Sequence, residues 1–140
     1  MPAISRWFIK AGLVYFLAAM LLAIGLKAQF SFPVLRFLAF FNPVYYHLLT
    51  VGWITQIIMG VSHWMFPRFS REKPRGNEAL AWLVFVLLNA GLLLRITGEP
   101  MLALNPGSIW NTLLILSAIL QWLAGALYIR AIWPRLKEKP

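Results

Sequence analysis

The chain has 140 residues, 61% of them hydrophobic and 15% aromatic, and its charged share is only 12%, with 13 Lys and Arg against 4 Asp and Glu for a formal charge of +9. A soluble domain carries roughly 25% charged residues, so charge this sparse and clustered cannot cover a water-facing surface, and the composition is that of an integral membrane protein in one compact unit. The basic balance does not indicate nucleic acid, which needs a solvated basic face with exposed aromatics, and the absence of Cys excludes disulfides, thiolate metal sites, iron–sulfur clusters and thiol redox chemistry.

A membrane helix needs about 20 predominantly apolar residues to cross the hydrocarbon layer. Four segments meet that length: residues 7–26, 43–66, 79–97 and 108–129. Arg6 and Lys10 ahead of the first give it a signal-peptide-like start, but the run from Ala11 to Leu26 is long for a cleaved segment and is expected to stay as the first helix. Between the first two spans, Gln29 to Phe41 is aromatic and broken by Pro33 and Arg36, too short to cross, and is placed at the interface. The second span starts at Asn42-Pro43 and stops at Pro67-Arg68. The third is expected to end at Thr97, with Arg95 snorkelling outward. The fourth follows Asn105-Pro106-Gly107, with Ser108 as its N-cap. The predicted fold class is therefore an all-α bundle of four membrane-spanning helices.

Ten of the thirteen cations fall on one side of such a bundle: Arg6 and Lys10, then Arg68, Arg71, Lys73 and Arg75, then Arg130, Arg135, Lys137 and Lys139. Only Lys27, Arg36 and Arg95 fall on the other. The positive-inside rule then puts both termini in the cytoplasm, in agreement with an even number of spans. Trp7, Tyr45, Tyr46, Trp64, Trp110 and Trp133 lie near the expected interfaces. The loop from Arg68 to Asn77 reads as a solvated cytoplasmic hairpin.

Ionisable groups within the spans are the first candidates for function, because a bilayer makes them expensive. No Asp or Glu falls within the four expected spans, which argues against a proton- or cation-driven transporter. The two histidines, His47 and His63, both lie on the second span. Sixteen residues of helix separate them by roughly 24 Å, too far to share a metal. His47 sits near the outer end on a stripe with Val51, Ile54, Ile58, Val61 and Met65; His63 sits near the inner end with Gly52, Gln56, Met59 and Gly60, a small and polar stripe suited to close helix packing. His63 is expected to make an interhelical hydrogen bond. His47 is either a headgroup-level histidine satisfied by loop carbonyls or an axial ligand to a porphyrin on its apolar stripe, with Tyr46 or Thr50 orienting the ring. Gly12, Ala19 and Ala23 form a packing stripe in the first span, and Asn89, Asn111, Ser117 and Gln121 are expected to hydrogen-bond between helices.

The segment Tyr45-Tyr46-His47-Leu48-Leu49-Thr50-Val51-Gly52-Trp53, continuing through Gly60 to Trp64-Met65-Phe66-Pro67-Arg68, resembles the tenth helix of the catalytic subunit of cbb-type haem-copper oxidases and of the related NnrS-like membrane proteins. Counted from Trp53, the residues His47, Gly60, Pro67 and Arg68 keep the family register over about 25 residues. The resemblance implies that His47 ligates a low-spin haem, here haem b, with Tyr46, Thr50, Gly52 and Trp53 around it. Tyr45 stands where the family has the histidine for the high-spin haem. With that histidine missing and no others to hold copper, the chain is not expected to reduce oxygen or nitric oxide alone. The reading is an electron-transfer or accessory haem protein of the bacterial inner (plasma) membrane. Its second axial ligand would come from another copy or from a larger respiratory complex. The alternative is a haem-free accessory or assembly subunit.

Overall fold

A computed structural model describes residues 1–70 and 75–136. Among them there is helix and no strand. In order come α1 (Ala3–Ala28), a 3-10 segment (Pro33–Phe41), α2 (Asn42–His47), a π-helical segment (Leu48–Thr55), α3 (Gln56–Met65), α4 (Glu78–Leu104), α5 (Ser108–Ile132) and a 3-10 turn (Trp133–Arg135). The backbone keeps right-handed helical angles through His47, Leu48, Thr55 and Gln56, so α2, the π segment and α3 form one continuous rod. Four helices are long and apolar enough to cross a membrane: Ala3–Ala28, Pro33–Met65, Glu78–Leu104 and Ser108–Arg135.

The bundle alternates in direction. At one end the start of α1 meets the close of α3 and the start of α4. There Gly60 lies against Phe8 and the Ser5 carbonyl, and Trp7 contacts Trp82 and Phe85, with ring centroids 6.5 Å apart in each pair. The close of α5 arrives at the same end, where Arg135 donates to the carbonyls of His63, Phe66 and Pro67 at 3.1, 2.7 and 2.9 Å. At the other end Gly25 of α1 faces Leu38 of the 3-10 segment, and Gly98 of α4 faces Leu114 of α5. The helix starts follow local rules. Pro2 precedes α1, the Asn77 side chain accepts the Leu80 N–H at the start of α4, and Pro43 sits in the first turn of α2.

Small residues set how close the rods come. A Cβ on Gly60 would lie 2.8 Å from that of Phe8, and one on Gly91 would lie 2.9 Å from the Ser117 carbonyl. Both glycines therefore mark backbone approach that no larger residue permits. Ser117 exploits the second contact by donating to the Gly91 carbonyl at 2.6 Å. Gly12 and Ala19 of the expected α1 stripe are buried, as are Gly52, Gln56, Met59, Gly60 and His63 of the second rod. The outward side of α1 stays bare, with Leu13, Val14, Leu17, Leu21 and Ile24 each half exposed or more. That face suits lipid, not water.

Three of the four expected spans agree with the helices to within a few residues. The third does not. Gly98-Glu99-Pro100 reads as a helix end in sequence, yet α4 continues through it to Leu104. Gly98 lets α5 approach, Arg95 neutralises Glu99 one turn away, and Pro100 is buried in a helix whose neighbours keep it in line. Arg95 is thus well inside the helix and paired, not snorkelling from its end. The expectation that no acid lies within a long apolar helix is overturned by Glu99. Arg71, Glu72 and Lys73 of the hairpin, and Lys137 and Lys139, lie outside the described residues.

Candidate functional site

His47 closes α2, and its position follows from the Asn42-Pro43 start one turn earlier. Its Nδ1 lies 3.0 Å from the Pro43 carbonyl oxygen and 3.4 Å from Oε1 of Glu99, which α4 carries across from the facing rod. The same Oε1 accepts from Arg95 Nη1 at 3.0 Å. The three side chains are mostly withdrawn from the surface, with 29% of His47, 20% of Arg95 and 10% of Glu99 exposed. Arg95 Nε and Glu99 Oε2 are buried without a hydrogen bond. This is an ionisable group of three at one end of a largely apolar bundle.

The arrangement has a direct chemical consequence for the imidazole. Both neighbours of Nδ1 are acceptors, so a neutral His47 places its proton there and leaves the lone pair on Nε2. A histidine held this way, with Nδ1–H on a carbonyl or carboxylate, is the usual form of a metal-ligating imidazole. Among the described residues Nε2 has no hydrogen bond, and no cluster of three or more His, Asp or Glu stands ready to hold a bare metal ion. One imidazole with a free Nε2 can offer a single donor atom.

The other residues named around His47 have different partners. Tyr46 is 58% exposed and meets Tyr45 edge-on, centroids 5.3 Å apart. Thr50 donates to the Tyr46 carbonyl at 2.8 Å and receives at its own carbonyl the hydroxyl of Thr55, five residues on, within the π segment. Neither Tyr46 nor Thr50 makes a hydrogen bond to the His47 ring; the orienting groups are Glu99 and the Pro43 carbonyl. Gly52 is buried against Tyr15 of α1 and Leu92 of α4, and Trp53 meets the Phe16 ring of α1 at a 40° tilt with centroids 4.3 Å apart, so both are engaged in packing. Further along the same rod, Ile54 within the π segment and Ile58 and Met65 beyond it are exposed.

Deeper in the bundle, polar side chains hold rods together. Asn89 Oδ1 accepts from Tyr15 at 3.0 Å and from Gln56 at 3.1 Å, and its amide donates to Gln56 Oε1 and the Phe85 carbonyl. Asn89 and Ser117 thus bond between helices as expected, whereas Gln121 donates within α5 to Ser117 Oγ and meets α4 only by contact at Gly91. Asn111 is exposed instead. Ser62 and the Tyr128 hydroxyl share a hydrogen bond between α3 and α5. His63 is buried beside a cavity of about 10 Å³ between Phe8, Met59, Val84 and Tyr128. Its ring makes no hydrogen bond among the described residues, contrary to expectation; its carbonyl, bonded to Arg135, does the bonding.

Sequence reasoning missed Glu99. The signal was present, because Arg95 and Glu99 stand four apart, the spacing of an ion pair on one helix face. No family model matches the chain, and no curated protein and no solved structure does either.

Proposed function

We propose that the chain is a haem-binding integral membrane protein in which His47 supplies one axial ligand through Nε2. It would serve electron transfer or an accessory role and would not itself reduce oxygen or nitric oxide. The observation that carries this reading is the pair of acceptors on His47 Nδ1, the Pro43 carbonyl and Glu99, which keeps the other ring nitrogen available. The register of Tyr45 to Arg68, similar to the ligand helix of haem-copper oxidases, supports it from the sequence side. The four long apolar helices support placement in a bilayer. The distribution of Lys and Arg supports a bacterial inner membrane orientation with both termini cytoplasmic.

The residues present fit half of a haem b site. His47 would offer the donor, and exposed apolar Ile54 and Ile58 follow on the same rod. His63, at the far end of the same rod, cannot be the second ligand, so that ligand comes from His47 of a second copy or from a larger respiratory complex. When bound, haem supplies one-electron transfer at its iron. The chain's own contribution is to hold His47 in one tautomer and to keep water from one side.

The test is an absorption spectrum of the protein purified from haem-supplied cells. A Soret band that His47→Ala abolishes and His63→Ala leaves in place is expected; a colourless protein, or a band unchanged in His47→Ala, overturns the reading. A second reading, a haem-free accessory or assembly subunit, draws on Glu99 and the Pro43 carbonyl as partners that hold the His47 ring within the chain itself. It predicts a colourless protein that co-purifies with a larger complex.

A further inference from the structure

At the end of the bundle opposite the termini, two adjoining cavities of about 470 and 390 Å³ open between the close of α1 and the 3-10 segment. They share Gln29, Phe30 and Ala39 as walls. The larger is lined by Lys27, Asn42, Tyr45 and Tyr46 over apolar Ala23 and Leu26, and the smaller reaches Arg36. Volumes of this order are those of small-ligand sites.

The lining carries positive charge and no carboxylate. Lys27 and Arg36 make no ion pair among the described residues, because the one carboxylate at this end, Glu99, is taken by Arg95 and His47. The side chains of Asn42, Tyr45 and Tyr46 make no hydrogen bond among the described residues either, and Gln29 donates only to the Leu26 carbonyl. Two cations, two amides and two phenols therefore line these adjoining spaces, with no carboxylate of the described residues among them. The complement to such a site is an anion with several acceptor oxygens, and the apolar floor adds room for a hydrocarbon chain beside it. Basic pockets beside membrane helices hold anionic lipid headgroups for the same reasons.

We propose that this groove is a binding site for a phosphate group, supplied by the headgroup of an anionic phospholipid. The 3-10 segment, whose residues are all at least partly exposed, acts as the outer wall that holds the headgroup against the end of α1. The site does not depend on haem binding at His47.

Native mass spectrometry of the full chain in non-ionic detergent, after equilibration with phosphatidylglycerol or phosphatidylcholine, tests this. Wild type should retain phosphatidylglycerol several-fold more than phosphatidylcholine. Lys27→Gln/Arg36→Gln should lose most of that preference, Lys27→Arg/Arg36→Lys should keep it, and Lys10→Gln/Arg130→Gln, at the opposite end, should not change it. A parallel titration with inorganic phosphate separates the two sources of the group. Failure of free phosphate to displace the lipid supports the phospholipid, and full displacement assigns the site to phosphate alone. Equal retention of the two lipids, or a preference unchanged in Lys27→Gln/Arg36→Gln, overturns the proposal.

Discussion

Glu99 contributes through two neighbours at once. It neutralises Arg95 and engages His47, with its other oxygen buried and unbonded. Removing one member of a withdrawn ion pair costs more than replacing both by apolar groups, because the survivor keeps its desolvation penalty. Glu99→Leu is therefore expected to destabilise the folded state by about 2 kcal/mol. Arg95→Leu/Glu99→Leu should cost clearly less, and detergent-denaturation titrations of the two variants read the difference. Under the haem reading, Glu99→Gln also raises the midpoint potential, since an imidazole hydrogen-bonded to a carboxylate is the stronger donor to oxidised iron; spectroelectrochemistry measures it. At this scale the sequence was half legible. His47 stood out by its register against Trp53 and Pro67, whereas Glu99 was hidden between Gly98 and Pro100, whose local preference for a helix end was overridden by packing against Leu114 and pairing with Arg95.

The second rod shows the same tension in one element. Eight residues, Leu48–Thr55, adopt π geometry directly after His47, and such wide turns are frequent where a helix carries function. An apolar stretch such as Leu48-Leu49-Thr50-Val51 holds no pattern that separates a π turn from an α turn, so this feature could not be read beforehand. The buried stripe of Gly52, Gln56 and Gly60 could be, because small and polar residues at helical spacing have few uses besides close packing. Gln56 joins Tyr15 and Asn89 in one network that links α1, α3 and α4. Asn89→Leu strands the Gln56 amide and the Tyr15 hydroxyl together. A loss of about 1–2 kcal/mol is expected in unfolding titrations, at the upper end for hydrogen bonds between membrane helices. Gln56→Leu/Asn89→Leu should recover part of it.

For the molecule as a whole, charge and length carried most of the information. Four apolar runs gave four long helices, and the ends that hold Arg6, Arg68 and Arg130 come together as the Lys and Arg count requires. Which faces turn outward was less legible. Hydrophobic residues are spread around every helix, and in a bilayer the apolar side is not the inner side, so Asn111 could not be assigned to the exterior in advance. The orientation has a simple check. Alkaline phosphatase fused after Leu136 should be inactive in a bacterial host, and fused after Ser31 it should be active; the reverse pattern would invert the topology.

The guanidinium of Arg135 collects three carbonyls at the close of α3 from a position 72 residues downstream of His63. During synthesis, those carbonyls have no such partner until Arg135 has been made. The rod that carries His47 is therefore locked at its far end from α5, which makes α5 the clasp on a bundle whose earlier hairpin must wait, loosely closed, for it to arrive.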